Sequence, residues 1–184
     1  MIIRLLITLL IINNINASTK LSLAQNDLIN KQTLERIHSW QELIKTSQNK
    51  KLLNKLKIVN DYFNKLKYKS DINNWKKNDY WATPSEFLFS GAGDCEDYAI
   101  AKYFTLKKLG IKEEKLKLVY ARLVKNDQAH IVLSYSHKPN NVPIILDNIN
   151  KKLKLSSNRK DLKQMRDIQS QTILNKFKLQ TFYN

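Results

Sequence analysis

The chain holds a single cysteine, Cys95, within the run Gly91-Ala92-Gly93-Asp94-Cys95-Glu96-Asp97-Tyr98-Ala99. Two of its three glycines sit in that run, and an apolar helical pattern follows as far as Gly110. A flexible turn that delivers a cysteine to a helix start places the thiol beside unpaired backbone N–H groups. Their partial positive charge favours thiolate over thiol. A thiolate that attacks a peptide carbonyl also needs a partner to manage the leaving-group proton. His130 can be that partner, and Asp147 can hold its imidazole in one tautomer. These residue types predict a Cys-His-Asp hydrolase. The backbone N–H of Cys95 is the expected oxyanion donor, with the Trp81 indole N–H as a second. His38 and His137 fall on a helix face and in a turn, and rank below His130.

Asp94, Glu96 and Asp97 surround the cysteine. Carboxylates at a helix N-terminus are favoured by the helix dipole, which is reason enough for them to be there. They also repel a thiolate unless something neutralises them, and a bound Ca²⁺ with oxygen ligands would do so. Their spacing is not that of an EF-hand loop.

At 184 residues and 42% hydrophobic content, the chain is expected to form one domain with a substantial core. Met1-Ile2-Ile3-Arg4, the apolar run over residues 5–12 and the polar stretch up to Ala17 have the layout of a signal peptide. Residues 1–17 are therefore read as a leader cut after Ala17, with an uncleaved anchor as the alternative. Residues 18–184 are read as the single domain of an exported, periplasmic protein. In such a protein a lone cysteine has no internal disulfide partner, so Cys95 is either inert and buried or free and reactive. The net charge of +16 is spread along the whole chain among many asparagines. It reads as solvated surface, and no Arg-rich cluster with interleaved aromatics points to nucleic acid.

The elements that must position these groups are legible from periodicity. Residues 18–31 read as a polar, loosely ordered stretch. A helix with Thr33 as N-cap carries Leu34, Ile37, Trp40 and Ile44, and a second carries Leu52, Leu56, Val59, Phe63 and Leu66. Residues 68–79 form a polar connector in which Asp71 and Asp79 are turn or cap residues, or line a site. Thr83-Pro84-Ser85-Glu86 opens a short helix with a capping box. The cysteine helix runs from about Asp94 to Leu109 and is apolar almost all round, hence buried. Beyond Gly110 the period changes to two, with strands over residues 116–124, 129–136 and 142–147 and a short one near 153–155. Residues 159–168 read as polar with a helical leaning, and residues 173–183 fit strand or helix. The sum is α+β, a helical N-terminal half with a central cysteine-bearing helix packed on an antiparallel sheet.

Val59-Asn60-Asp61-Tyr62-Phe63-Asn64, Asp79-Tyr80-Trp81-Ala82-Thr83-Pro84-Ser85-Glu86-Phe87, the Gly93–Ala99 run, Ala129-His130-Ile131-Val132-Leu133 and Leu146-Asp147-Asn148 occur in this order. Together they resemble the bacterial transglutaminase-like cysteine proteinases, the LapG-type periplasmic peptidases, over roughly residues 34–166. The resemblance implies a papain/transglutaminase-like fold with Cys95, His130 and Asp147 as a catalytic triad. It implies dependence on Ca²⁺ held by Asp94 and Glu96, with Asp97 as a third ligand. It also implies a large repeat adhesin as substrate, clipped near its N-terminus at a pair of alanines to release cells from a biofilm. An inner-membrane receptor for cyclic di-GMP is the implied inhibitor. The rival expectations are transglutaminase-like acyl transfer to an amine, and a non-catalytic binding module of the same fold.

Overall fold

The computed structural model describes residues 2–168. Helix α1 spans Ile2–Ser47, α2 Leu52–Phe63, and the two-residue strand β1 Lys67–Tyr68. A single-turn helix α3, Asp71–Asn74, precedes α4, Pro84–Ser90, strand β2, Ala92–Gly93, and α5, Cys95–Lys108. The sheet then follows: β3 Leu116–Leu123, β4 Ala129–Tyr135, β5 Ile144–Leu146, β6 Lys154–Leu155 and β7 Leu162–Asp167. These five strands form one antiparallel sheet in the order β6-β5-β4-β3-β7, while β1 and β2 pair in parallel beside the cysteine turn. Among the described residues no helix is long and apolar enough to cross a membrane.

Helix α5 is the centre of the packing. Tyr98, Ala99, Ile100, Ala101, Tyr103 and Leu106 are all buried, so α5 touches neighbours on every side. It lies between α2 and α4 on one side and the β3–β4 face on the other. Leu56, Val59 and Phe63 of α2, Phe87 and Leu88 of α4, and Leu118 and Leu133 of the sheet complete this core. Burying each such side chain stabilises the fold by about 1.5–3 kcal/mol. The opposite face of the sheet carries a smaller cluster of Val119, Ala121, Val132, Ile145 and Leu162.

Three expectations from the sequence need correction. The polar stretch over residues 18–31 is helical and continuous with α1, since it holds no glycine or proline to break the helix. Thr33 is therefore not an N-cap. It is buried within α1, and its Oγ1 donates to the Phe89 carbonyl at 3.2 Å. The segment 159–168 holds β7 rather than a helix. Gln164 has φ +53°, and the β3–β7 register shifts between Tyr120 and Arg122, so a bulge breaks the alternation that would have identified a strand. The segment 173–183 lies outside the described residues.

The capping box before α4 is present: Thr83 N–H donates to Glu86 Oε2 at 2.7 Å, and Glu86 N–H to Thr83 Oγ1 at 3.3 Å. At the other end of α4, Arg36 of α1 donates to the carbonyls of Leu88 at 2.7 Å and Phe89 at 3.0 Å. Gly91 ends the helix with φ +68°, and a Cβ there would meet the Arg36 guanidinium. The turn into the cysteine thus depends on a glycine for conformation and for space.

Candidate active site

Cys95 is the first residue of α5, delivered by β2. Asp97, one turn into the helix, fixes this entry. Its Oδ1 accepts from Ala82 N–H at 2.8 Å and its Oδ2 from Asp94 N–H at 3.3 Å. A Cβ on Gly93 would overlap the Asp97 carboxylate, which is why a glycine precedes Asp94. The sulfur of Cys95 hydrogen-bonds Glu96 Oε2 at 3.0 Å and receives the backbone N–H of Ile131 from β4. Burial, then the charges of Glu96 and Asp94, push the thiol well above its ordinary pKa.

His130 stands second in β4, and Asp147 follows β5 one step past the Leu133–Leu146 pair. Imidazole Nε2 and Asp147 Oδ1 are 2.9 Å apart, and both side chains are buried. Oδ1 also accepts from Ile149 N–H at 2.9 Å, while Oδ2 accepts from Arg159 Nη2 at 2.5 Å. Burial acts against ionisation of Asp147, yet the donors from His130, Ile149 and Arg159 hold its carboxyl well below the usual carboxylate range. Behind it, Asn64 Nδ2 donates to the Asp147 carbonyl at 2.8 Å, and the buried Lys102 donates to Asn64 Oδ1 at 2.8 Å.

Cys95 and His130 line the same cleft, of about 550 Å³, with Tyr68, Asp79, Trp81 and Arg166. That volume lies in the range of ligand-binding clefts. Trp81 is where the sequence pattern put it, but its indole N–H donates to Asp79 Oδ1 at 3.0 Å. That bond occupies the indole N–H in this arrangement, while the backbone N–H of Cys95 lies at the head of α5.

The acidic constellation differs by one member from the expected set. Carboxylate oxygens of Asp71, Asp94 and Glu96 lie within 4.8 Å of one another. Asp97 faces Ala82 and the Asp94 amide, so it braces the turn rather than joining the cluster. Asp71, at the head of α3, takes its place and is fixed there by Tyr80 N–H, which donates to Oδ2 at 2.6 Å. Asp94 Oδ1 is buried and has no hydrogen-bond partner, and burial and Glu96 push its carboxyl up to about 9. Among the described residues no Lys or Arg forms an ion pair with Asp94 or Glu96. Three oxygen donors, one of them orphaned, fit a hard divalent cation.

The profile of the bacterial transglutaminase-like cysteine proteinases (BTLCP) matches residues 15–173. The chain belongs to this family. Among solved structures, calcium-bound LapG of Legionella pneumophila is 36% identical, with a TM-score of 0.70 over 79% of this chain and 82% of that one. An EGTA-treated form of that LapG is 40% identical, with a TM-score of 0.67 over 71% and 70%. A further LapG structure from the same organism gives 35% identity and a TM-score of 0.71 over 80% and 86%. No curated protein sequence matches the chain. The fold is thus the transglutaminase-like one, and this chain is a transglutaminase-like cysteine proteinase.

Three groups around the site of this proteinase escaped the sequence reading. Asp71 was legible only as a turn residue or possible site lining, since nothing local ties it to residues more than twenty positions away. Arg159 gave no signal among the many basic residues of its segment. Lys102 sat in an apolar helical pattern, where a long cationic side chain is ordinarily assigned to solvent.

Proposed function

We propose that this proteinase is an exported, periplasmic, calcium-dependent endopeptidase in which Cys95 is the nucleophile, His130 the proton carrier and Asp147 its orienting partner. The observation that carries the reading is the buried contact of His130 Nε2 with Asp147 Oδ1 at 2.9 Å, opening on the cleft that holds Cys95 at the head of α5. With Nε2–H committed to Asp147, Nδ1 is the nitrogen left to exchange a proton with the thiol. The Cys95 sulfur adds to the scissile carbonyl carbon, and the backbone N–H of Cys95 receives the oxyanion. Imidazolium then gives its proton to the leaving amine as the C–N bond breaks, leaving a thioester. Water, deprotonated by His130, releases the acid and restores the thiol.

Asp71, Asp94 and Glu96 would hold the Ca²⁺. Bound there, the ion supplies positive charge that offsets the carboxylates beside the nucleophile. The calcium-bound and EGTA-treated forms of the similar LapG support this choice of metal. The motif resemblance alone supports a large repeat adhesin as substrate and a cyclic di-GMP receptor of the inner membrane as inhibitor. The basic start and the apolar run over residues 5–12 support export.

The test is cleavage of an adhesin N-terminal fragment by purified protein with Ca²⁺, with a chelator, and with Cys95→Ala. Cutting that requires both the metal and the thiol is expected. Thiol-dependent cutting that ignores the chelator would remove calcium from the reading. Transfer to an added amine without hydrolysis would turn it towards acyl transfer.

A further inference from the structure

Asp147 is held by more than its histidine. Its second oxygen, Oδ2, meets Arg159 Nη2 at 2.5 Å, with both side chains wholly buried. Arg159 is itself gripped from the other side. Its Nε donates to Asp161 Oδ1 at 2.8 Å, and its Nη2 to Asp161 Oδ2 at 2.7 Å. The planar guanidinium therefore spans two carboxylates, one buried beside the imidazole and one 44% exposed at the entry to β7. Its third nitrogen, Nη1, is buried without a hydrogen-bond partner. Burying a guanidinium with one unsatisfied nitrogen costs stability, and a pair of apolar residues would fill the space at less cost. The arrangement makes sense if the charge and the fork are needed at Asp147.

We propose that Arg159 is a positioning residue of the active site: it fixes the plane and the charge of the Asp147 carboxylate, and Asp161 fixes Arg159. This rests on the Cys95-His130-Asp147 reading. A carboxylate held only by His130 and the Ile149 amide would engage both donors through Oδ1 and be free to rotate about that oxygen. The bond to Oδ2 removes that freedom. Arginine suits the role because one side chain must face two acids in fixed directions, which the lysine ammonium does less well. The same fork ties the carboxylate to β7, whose Arg166 and Asp167 line the cleft, so substrate wall and orienting acid share one anchor.

The experiment uses calcium-loaded protein and two readouts that need no natural substrate. One is the low-field proton resonance of the His130–Asp147 hydrogen bond. The other is the rate at which iodoacetamide alkylates Cys95, the chain's only thiol, at one fixed pH. Arg159→Gln is expected to fold, to shift or lose the low-field resonance, and to slow alkylation about 10–100-fold, as losing an outer partner of a functional histidine typically does. Arg159→Lys should recover part of that rate. Asp161→Asn, which loosens the grip on Arg159 from the exposed side, should slow alkylation two- to fivefold, on the order of one charge-assisted hydrogen bond weakened by solvent. Folded Arg159→Gln with the wild-type resonance and rate overturns the proposal. Should Arg159→Gln fail to fold, Asp161→Asn decides: a shifted resonance with slower alkylation supports the role, and wild-type values for both end it. Asp147→Asn separates the two levels. If it alkylates at the wild-type rate, the triad reading falls and this proposal with it. If it is slow while Arg159→Gln is not, only the role of Arg159 is lost.

Discussion

On the sheet side of the cleft, both oxygens of Asp147 meet donors, and the carboxylate charge is answered by Arg159 and the imidazole. On the helix side, Asp94 and Glu96 flank the nucleophile, Asp71 adds a third acid, and one oxygen of Asp94 is buried with no hydrogen-bond partner. The pKa directions follow this contrast. The Asp147 carboxyl is held low by its partners, whereas burial and like charges push the Asp94 carboxyl up to about 9 and the Cys95 thiol well above its ordinary value. One half is charge-balanced by the chain alone. The other reaches balance only with protons or with a cation, and protons on the acids leave the thiol without a positive neighbour. The charge state of the helix side thus depends on protons or a cation, and that of the sheet side does not.

The largest effect is expected from breaking the balanced half. Asp147→Asn removes the negative charge and one of the two acceptor oxygens, so that His130 and Arg159 can no longer both be met. The turnover number should fall about 10⁴-fold, on the scale seen when a triad aspartate becomes asparagine, with no recovery on adding Ca²⁺. Steady-state cleavage with and without excess Ca²⁺ checks this, and a loss of under tenfold would show that Asp147 is not needed to orient His130.

Removing the cation should strike the unbalanced half and leave a pH signature. The Asp94 carboxyl rises to about 9 from an ordinary 3.8, so the metal-free fold carries a proton there that the unfolded chain has lost. Metal-free stability should therefore fall as pH rises between those two values. A cation replaces that proton, so the gain in melting temperature with Ca²⁺ should be larger at pH 8 than at pH 5. At a hundredfold excess over the dissociation constant the gain corresponds to about 2.7 kcal/mol. An equal gain at both pH values would mean that Asp94 is already ionised without metal.

A smaller effect separates the acids. Asp71→Asn should weaken Ca²⁺ binding about 10–100-fold, measured by calorimetric titration. Asp97→Asn should change affinity less and instead lower stability by about 1–3 kcal/mol, because it disturbs the acceptor of two backbone amides, the buried one of Ala82 and the half-buried one of Asp94. The reverse order of affinities would restore Asp97 as a ligand and displace Asp71.

What could be read from the chain divides along the same line. Cys95, its glycine turn, the capping box, the strand bearing His130 and the strand that leads into Asp147 were legible because each is encoded over a few adjacent residues. The groups that complete the site were not. Asp71 reaches Asp94 only because β1 pairs with β2, a contact with no periodic signature. Asp97 has the same spacing and chemistry as its acidic neighbours, and only the approach of the Ala82 amide turns it into a brace. Arg159 sits before a strand whose alternation is interrupted by the bulge at Gln164, so neither the strand nor its anchor could be placed. Pairing across the chain, rather than local pattern, decides these cases.

Lys102 gives the finest test of the balanced half, because it is a buried basic side chain there whose hydrogen bond goes to a neutral amide. It is 1% exposed, and its ammonium donates to Asn64 Oδ1 at 2.8 Å. Asn64 in turn donates to the Asp147 carbonyl. Burial pushes Lys102 down to about 7 from an ordinary 10.5, against the attraction of Asp147 and Asp61. Between those values the unfolded chain holds a proton that the fold has released, so stability should rise with pH across that window. Below about pH 7 the full penalty of the buried charge, roughly 4–5 kcal/mol at 1.36 kcal/mol per pKa unit, is in force. Lys102→Met removes the penalty but leaves Asn64 Oδ1 without that donor, a loss of about 1–3 kcal/mol. The variant should therefore be more stable than wild type at pH 6 and no more stable, or less so, at pH 10. Activity should change by less than about threefold, since Asn64 still reaches the Asp147 carbonyl and Arg159 still holds the carboxylate. Urea unfolding of both proteins in Ca²⁺ at the two pH values decides it. A difference that does not change with pH would mean that Lys102 keeps its proton throughout, and that the sheet side of the cleft holds a permanent buried cation behind Asp147.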